Sequence, residues 1–193
     1  GCKRAGMRTI MITGDHAITA EAIGRKLGIV EKEVHALTGK DLASISDEDL
    51  FNRVDQVSVY ARVAPQDKLR IVEQLKLRGE IVAVTGDGVN DAPALRSAHI
   101  GIAMGKTGTD VAKEAADMVI ADDNFVSIFH AVEEGRIVFE NIRKVIFFLI
   151  PTGVAAILTI FMSQLLRLPL PYLPSQILWI NLVTNGLQVL ALA

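Results

Sequence analysis

The sequence predicts an α/β fold with a parallel, doubly wound sheet, followed by a helical part that spans a membrane. Three observations support this class. Short apolar runs alternate with helical patterns up to about residue 125, which is typical of parallel strands joined by crossover helices. Two of the runs end in the same Thr-Gly-Asp triplet, at Thr13 and at Thr85. Beyond Arg143 and Lys144 the chain becomes strongly apolar.

The first strand and helix are predicted near the N-terminus. The apolar run Thr9–Ile12 indicates a buried strand, and a helical pattern follows over 17–27. Gly28 stands where a helix C-cap is expected. The polar run 41–50 then predicts one short surface helix.

The middle of the chain predicts the rest of the sheet. Pro65 suits the first turn of a helix that continues to Arg78, because the fixed φ of proline favours that position. Strands are predicted at 57–61, 81–84, 100–104 and 118–120, and short helices at 92–98 and 111–116. Ligands of parallel α/β sheets bind at the carboxyl edge. The two triplets therefore predict one site built from two strand ends.

Residues 85–93, Thr-Gly-Asp-Gly-Val-Asn-Asp-Ala-Pro, form the most informative stretch. Asp87 and Asp91 are four residues apart with Asn90 between them, and oxygen ligands of this kind suit Mg²⁺. A tight surface turn is the alternative for a single loop. The repetition of the triplet at Thr13 favours a shared binding site.

The second half predicts a stalk and two membrane spans. Residues 126–144 have helical periodicity with both charge signs and continue without a linker into 145–166. That run has no charged side chain and is long enough to cross a bilayer. A proline-rich external turn, 167–174, and a second apolar span, 175–193, follow. A buried helical hairpin in a soluble protein is the alternative.

The flanking charges predict the orientation of the first span. Arg136, Arg143 and Lys144 lie on its N-terminal side, which is cytoplasmic by the positive-inside rule. Pro151 and Gly153 lie inside the span; membranes tolerate such breaks, and transport paths use them. We expect an integral membrane protein, in the plasma membrane, with its first domain in the cytoplasm.

Six stretches together resemble one known family. They are residues 11–15, 63–68, 85–93, 101–117, 141–144 and 178–184. In this combination they are similar to P-type cation-transporting ATPases of the calcium-pump-like group, in the haloacid dehalogenase superfamily. The resemblance covers essentially the whole chain. It implies the C-terminal part of a Rossmann-type phosphorylation domain over 1–125, then the fifth and sixth spans of a pump driven by ATP.

The resemblance also implies roles for individual residues. Thr13 and the amide of Gly14 would hold phosphoryl oxygens, Lys68 would neutralise their charge, and Asp87 would ligate Mg²⁺. The other implied residues are Asn90 and Asp91 in catalysis and Asp15, Gly86 and Gly88 in cofactor binding. For Asp15, capping of the following helix is the alternative.

The nucleophile of this family is absent from the sequence. It is the Asp of an Asp-Lys-Thr-Gly-Thr motif, and the similar run Gly105–Thr109 has Gly where Asp is needed. This run is not a P-loop either, because three residues separate Gly101 from Gly105 where four are required. We expect the nucleophile, the nucleotide-binding and actuator domains and the other spans upstream of Gly1. The chain alone is predicted not to hydrolyse ATP.

The second span carries a predicted polar stripe. Asn181, Thr184, Asn185 and Gln188 recur at the spacing of one α-helical face. Polar groups inside a membrane suggest an ion path, and hydrogen bonding between helices is the alternative. The resemblance makes these residues ligands of the transported cation.

The sequence departs from the calcium-pump pattern in this region. Asn185 stands where those pumps have Asp, and Gly153 and Ala156 stand where they have Asn and Glu. Calcium affinity depends on ligand charge, so a pump with two calcium sites is not expected. One divalent ion, a monovalent cation or a proton stay open. Alternative functions are a membrane-anchored phosphatase or a non-catalytic membrane module. The net charge of −2 argues against nucleic-acid binding.

Overall fold

The computed structural model describes residues 2–30 and 35–187. The chain divides into two compact units, the first ending at Ile128 and the second beginning at Phe129. The strands are β1 (Met11–Thr13), β2 (Leu37–Thr38), β3 (Val59–Ala61), β4 (Ala83–Gly86), β5 (Ile100–Met104) and β6 (Met118–Ile120). The α-helices are α1 (Ala17–Lys26), α2 (Gly39–Ser44), α3 (Asp47–Arg53), α4 (Pro65–Leu77), α5 (Ala92–Ser97), α6 (Asp110–Ala115), α7 (Phe125–Leu165) and α8 (Pro174–Ile180).

The strand pairings among the described residues are all parallel, which confirms the predicted fold class. The strands form two three-stranded sheets, ordered β1-β3-β2 and β4-β5-β6, where the sequence predicts one sheet. The strands with the two triplets, β1 and β4, each lie at an edge of their sheet. Alternating apolar runs identify strands, but they contain no information about which strand lies beside which.

One buried cluster connects the two sheets of the first unit. Ile12 of β1 and Val84 of β4 both pack against it. Its buried members are Leu42, Leu50, Val54, Val57, Tyr60, Val63, Ile71, Val72, Leu75, Val82 and Ala94. Helices α2, α3 and α4 contribute half of the aliphatic side chains, so burial of their apolar faces holds β1 and β4 in one unit.

The predicted strand 81–84 is displaced by two residues in the structure. β4 begins at Ala83, and Ile81 before it is 77% exposed. The amide of Val82 donates to Nδ1 of His99 at 3.1 Å, so a side chain takes the place of a strand partner there. The apolar run is a correct sign of a strand, but tertiary contacts decide where its ladder begins.

The polar run predicted as one helix, 41–50, forms two helices, α2 and α3. Ser46 accepts a hydrogen bond from the Asp49 amide at 3.1 Å and thereby caps a new helix N-terminus. Two other helix signals are confirmed. Pro65 begins α4, and Gly28 follows α1 with a φ of +68°.

Helix α7 runs without interruption from Phe125 to Leu165. Within the described residues it is the one helix that is long and apolar enough to cross a membrane, by length and composition. Pro151 lies inside it and removes a backbone donor. The Thr152 hydroxyl donates to the Phe148 carbonyl at 2.8 Å, so a side chain bonds the backbone beside this proline.

The second apolar segment differs from its prediction. It is α-helical in α8 and continues as a π-helix over Asn181–Leu187. A π-helix bonds residue i to i+5 and so changes the angle between neighbouring side chains from that of the predicted α-helix. The polar stripe itself stays a prediction. Asn181 is exposed, the side chains of Thr184 and Asn185 are not described, and Gln188 lies outside the described residues.

The buried cluster that connects the two sheets predicts which leucines stabilise the first unit. Leu50 is fully buried, and its replacement by Ala should lower the free energy of unfolding by about 2–5 kcal/mol, because it leaves a cavity. Leu77 is 70% exposed, and its replacement by Ala should change that value by less than about 0.5 kcal/mol. Urea unfolding of the purified chain, followed by circular dichroism, measures both. Equal losses would contradict the assignment of the core.

Candidate functional site

The loop after β4 is folded around one carboxylate. Asp91 is buried, with 8% of its surface exposed. Its Oδ2 accepts hydrogen bonds from the amides of Asp87 (3.3 Å) and Gly88 (3.2 Å). A Cβ at Gly86 would come within 2.5 Å of the Asp91 Cβ, so this position needs glycine. Asp91 therefore fixes the shape of the loop.

Helix α4 brings Lys68 to the same carboxylate. Its Nζ donates to Asp91 Oδ1 at 2.5 Å, and the two side chains are 26% and 11% exposed. Lys68 lies in the first turn of α4, which begins at Pro65, and the Asp67 carboxylate accepts a hydrogen bond from the Ala64 amide at 3.3 Å. Because the pair is partly buried, water and salt screen it less than a surface pair.

Asp91 is ionised at neutral pH. Burial raises the pKa of Asp91, but the hydrogen bond from Lys68 and those from the amides of Gly88 and Asp87 favour the charged form more strongly. The net effect holds the pKa of this carboxyl below its ordinary value. Protein donors occupy both carboxylate oxygens, so the geometry favours a role for Asp91 as the anchor of the loop.

Asp87 presents its carboxylate to solvent at the tip of this loop. Across residues 2–30 and 35–187, no hydrogen bond or ion pair to that carboxylate occurs, and no group of three or more His, Cys, Asp and Glu side chains could hold a metal. Mg²⁺ does not require such a group, since it keeps several waters and binds one or two carboxylates together with a phosphate. The donor set at Asp87 fits Mg²⁺ in the presence of a phosphate.

The first triplet is tied to the turn that follows β3. Thr13 Oγ1 accepts a hydrogen bond from the Asp15 amide at 3.1 Å. The carbonyls of Thr13 and Asp15 accept from the amides of Val63 (3.2 Å) and Arg62 (3.1 Å), and Arg62 has a φ of 51°. Asp15 does not cap α1, whose N-cap is His16, so the capping alternative is wrong.

The structure brings part of the predicted site together. Lys68, Asp91 and the backbone amides of Asp87 and Gly88 form one hydrogen-bonded group. No hydrogen bond among the described residues joins residues 13–15 to it. Asn90 is exposed in the short 3₁₀ turn of the loop. A single site built from both strand ends therefore stays a prediction.

Sequence reasoning assigned no role to a second loop that contacts the first. The Thr109 amide donates to the Asp87 carbonyl at 2.8 Å, and the Thr109 side chain caps α6. Asp123 accepts hydrogen bonds from the amides of Lys106 (2.9 Å) and Thr107 (2.7 Å). A Thr before a helical pattern is an N-cap signal and could have identified Thr109. Nothing in the sequence indicates the contacts of Asp123.

Comparison with known proteins gives the family. A family model described as haloacid dehalogenase-like hydrolase matches residues 2–99, about half of the chain. The chain belongs to this family. A second haloacid dehalogenase-like hydrolase model matches residues 68–132. Together the two matches cover all of β1 to β6 and the Lys68, Asp87 and Asp91 positions.

Relatives along the whole chain are cation-transporting ATPases. The chain is 52% identical over 191 residues to a calcium-transporting ATPase of Bacillus subtilis, which covers 99% of this chain and 22% of that protein. It is 50% identical over 193 residues to a cation-transporting ATPase of Synechocystis, which covers 100% of this chain and 21% of that protein. The predicted resemblance to cation-transporting P-type ATPases is confirmed. The chain spans about a fifth of the length of these relatives.

Solved structures show the same relationship. A zinc-transporting PIB-type ATPase in its E2.Pi state aligns with a TM-score of 0.66 and 27% identity, over 98% of this chain and 25% of that one. The catalytic domain of the CPx-ATPase CopB-B aligns with a TM-score of 0.51 and 28% identity, over 67% of this chain and 40% of that one. The α/β fold of the first unit is therefore shared with transport ATPases.

The ion pair predicts a defined loss on substitution. Replacement of Asp91 by Asn leaves the Lys68 ammonium partly buried without its counter-charge, so the free energy of unfolding at pH 7 should fall by about 2 kcal/mol. Replacement of the exposed Asp110 by Asn is the matched control and should change it by less than about 1 kcal/mol, because this residue lies in the first turn of α6. Urea unfolding measures both values.

The pH dependence of this loss follows from the pKa of Asp91. Because that pKa is lower in the folded than in the unfolded chain, the stabilisation is complete above the ordinary aspartate pKa of about 4 and is lost as pH falls through the folded pKa. The stability difference between the natural chain and Asp91→Asn should therefore shrink below about pH 4. A difference that stays constant between pH 7 and pH 2 would contradict the ion pair.

Proposed function

We propose that this chain is the part of an ATP-driven cation pump that handles the phosphoryl group and continues into the membrane. The Lys68–Asp91 pair carries the proposal, because it holds the loop that presents Asp87 at the end of β4. Phosphoryl transfer needs positioning and charge neutralisation more than covalent help from the protein. The Lys68 ammonium from α4 and the exposed Asp87 carboxylate and glycine-containing backbone of the loop after β4 supply these at one site. The cation-transporting ATPase relatives support the same function.

In this proposal Asp87 binds Mg²⁺ and Lys68 binds a phosphoryl oxygen. Bound Mg²⁺ would supply positive charge that stabilises the charge developing on the phosphoryl group. Asp91 orients Lys68 before any substrate binds, so little reorganisation is needed when the phosphoryl group arrives. Gly86 leaves room for the Asp91 side chain, and Gly88 leaves the backbone open to close approach.

Thr13 and Gly14 are proposed to bind the remaining phosphoryl oxygens. The Thr13 hydroxyl oxygen accepts a hydrogen bond from the Asp15 amide. The proton of this hydroxyl is therefore available for donation to a phosphate. The amide of Gly14 would donate a hydrogen bond to the same phosphoryl group. Asn90 is exposed beside Asp87, and its amide group is proposed to bind near the phosphate as well.

The aspartate that becomes phosphorylated is proposed to come from another part of a longer polypeptide. β1 and β4 each lie at an edge of their sheet, and an edge strand leaves a row of backbone N–H and C=O groups without a strand partner. Ala83 and Thr85 of β4 are also exposed, and so is Ile81 before them. An additional parallel strand between β1 and β4 would cover this edge and join the two sheets. Its carboxyl end would bring the nucleophile to the edge that carries Thr13 and Asp87.

The remaining parts follow the same proposal. Residues 1–125 are assigned to the phosphorylation domain in the cytoplasm, 126–144 to the stalk, 145–166 and 175–193 to two spans in the bilayer, and 167–174 to the external turn. Continuity of α7 supports a direct connection between the phosphorylation domain and the first span. Nucleotide-binding, actuator and further transmembrane parts of the same polypeptide would complete a pump in the plasma membrane.

Asn181, Thr184, Asn185 and Gln188 are proposed to line the cation path. The segment 181–187 is a π-helix, and this geometry is frequent at functional sites. Neutral oxygen ligands argue against two calcium ions, and one divalent ion, a monovalent cation or a proton stay open.

A membrane-anchored phosphatase is the second candidate. The observation that favours it is the absence of any carboxylate between residues 145 and 166, where a calcium-type pump has one. In that function the polar residues of the second span would only pack helices.

Replacement of Asp87 by Asn should abolish phosphoenzyme formation in the full-length protein. The loss of one negative ligand weakens Mg²⁺ binding beside the phosphoryl group, and we expect a decrease of at least about a hundredfold. Acid-stable labelling from radioactive ATP measures it, with Asp110→Asn as the matched control. Labelling of Asp87→Asn at the natural level would refute the assignment.

Cation dependence separates the two candidate functions. Phosphorylation of a pump should respond to its transported ion, so labelling of the full-length protein should change at least about fivefold across Ca²⁺, Na⁺, K⁺ and proton titrations at fixed Mg²⁺. Replacement of Asn181 by Ala should shift the midpoint for the active ion. Turnover that depends on Mg²⁺ alone would favour the phosphatase.

A further inference from the structure

The loop Gly105–Thr109, here called the clamp loop, is fixed at one end by a single side chain. Asp123 Oδ1 accepts the amide of Lys106 at 2.9 Å, and Oδ2 accepts the amide of Thr107 at 2.7 Å and its hydroxyl at 2.9 Å. The hydrogen bond from the Lys106 amide is the first cause that lowers the pKa of Asp123, to about 2. The carboxylate is thus charged at any physiological pH and bonded through both oxygens.

The other end of the clamp loop reaches the candidate site. The Thr109 amide donates to the Asp87 carbonyl at 2.8 Å. The loop between the two contacts is closely packed, since a Cβ at Gly108 would lie 2.0 Å from the Met104 carbonyl oxygen. The Gly105 amide donates to the Ile120 carbonyl at 2.8 Å. A backbone hydrogen bond therefore connects the clamp loop to Asp87.

The residues on either side of Asp123 form hydrogen bonds with the first turn of α7. The neighbouring Asp122 carboxylate accepts the Ser127 hydroxyl at 3.0 Å, and Asn124 Oδ1 accepts the Val126 amide at 3.0 Å. Asp123 itself has a φ of 56°, in the left-handed region, which Gly, Asn and Asp adopt more often than other residues. An uncommon backbone conformation is maintained at the point where the clamp loop and the first turn of α7 meet.

We propose that Asp123 is a positioning residue that ties the Mg²⁺-binding loop at Asp87 to the first turn of helix α7 through the clamp loop. The inference rests on the proposed function, because it requires Mg²⁺ at Asp87. Mg²⁺ binding and the conformation of the first turn of α7 are then linked, and each affects the other by the same factor. A role confined to closing a turn would lower stability without changing Mg²⁺ affinity.

The test is a Mg²⁺ titration of the full-length protein, followed by hydrogen exchange of peptides that cover 85–91 and 124–128. Asp123→Gly removes the carboxylate and keeps the left-handed backbone without steric cost. We expect the Mg²⁺ midpoint of protection at 85–91 to rise about tenfold, which is the lower end of the range for residues that support metal ligands. Protection of 124–128 should lose its dependence on Mg²⁺. Asp123→Asn retains one acceptor oxygen. This variant should therefore keep part of the natural Mg²⁺ affinity and part of the Mg²⁺-dependent protection of 124–128.

Asp41→Ala is the matched control. The Asp41 carboxylate also accepts one threonine amide, at 2.8 Å, and one threonine hydroxyl, at 2.7 Å, both from Thr38 in the first unit. Its variant should keep the natural Mg²⁺ midpoint. An unchanged midpoint in Asp123→Gly, Mg²⁺-dependent protection of 124–128 in that variant, or no effect of Mg²⁺ on the natural protein would each overturn the inference.

Labelling from ATP on the same samples separates this inference from the pump function. If the natural protein binds Mg²⁺ at 85–91 but forms no phosphoenzyme, the proposed pump function fails. The midpoints of the variants still decide the role of Asp123 in that case, because hydrogen exchange requires no turnover.

Discussion

The carboxylate of Asp91 is the group on which the loop after β4 depends. It draws together the Lys68 ammonium from α4 and the amides of Asp87 and Gly88 from its own loop. A buried carboxylate is costly unless it is paired and hydrogen-bonded, and here both conditions are met. The hydrogen bonds that satisfy Asp91 also orient the Lys68 ammonium and the loop. The same contacts therefore determine the stability of the loop and the geometry of the site.

Asp87 is held through its backbone and left open through its side chain. The Asp87 amide donates a hydrogen bond to the Asp91 carboxylate, and the Asp87 carbonyl accepts one from the Thr109 amide. Two backbone contacts fix the direction of the residue while the carboxylate stays exposed to solvent. Such an arrangement suits a ligand that must bind a metal together with a transient phosphate, since rigid support reduces reorganisation on binding.

Much of the fold was predictable from local patterns. Pro65 and Gly28 mark helix ends because their backbone preferences act within a few residues. The Ser46 cap was missed because a polar run has the same appearance in one helix or two. The candidate site was predictable as a set of residue types, yet Thr109 and Asp123 received no role, since hydrogen bonds to backbone amides leave little trace in the sequence.

The sequence by itself determined the class of fold, the parallel strands, the long apolar helix and the residues that resemble a phosphoryl-transfer site. These depend on periodicity and on side-chain chemistry, which are local. Only the tertiary structure decided that the strands form two sheets, that Lys68 pairs with Asp91, and that Asp123 bonds the clamp loop. Those features depend on groups that are distant along the chain, and their contacts form only when burial of the shared core brings the elements together.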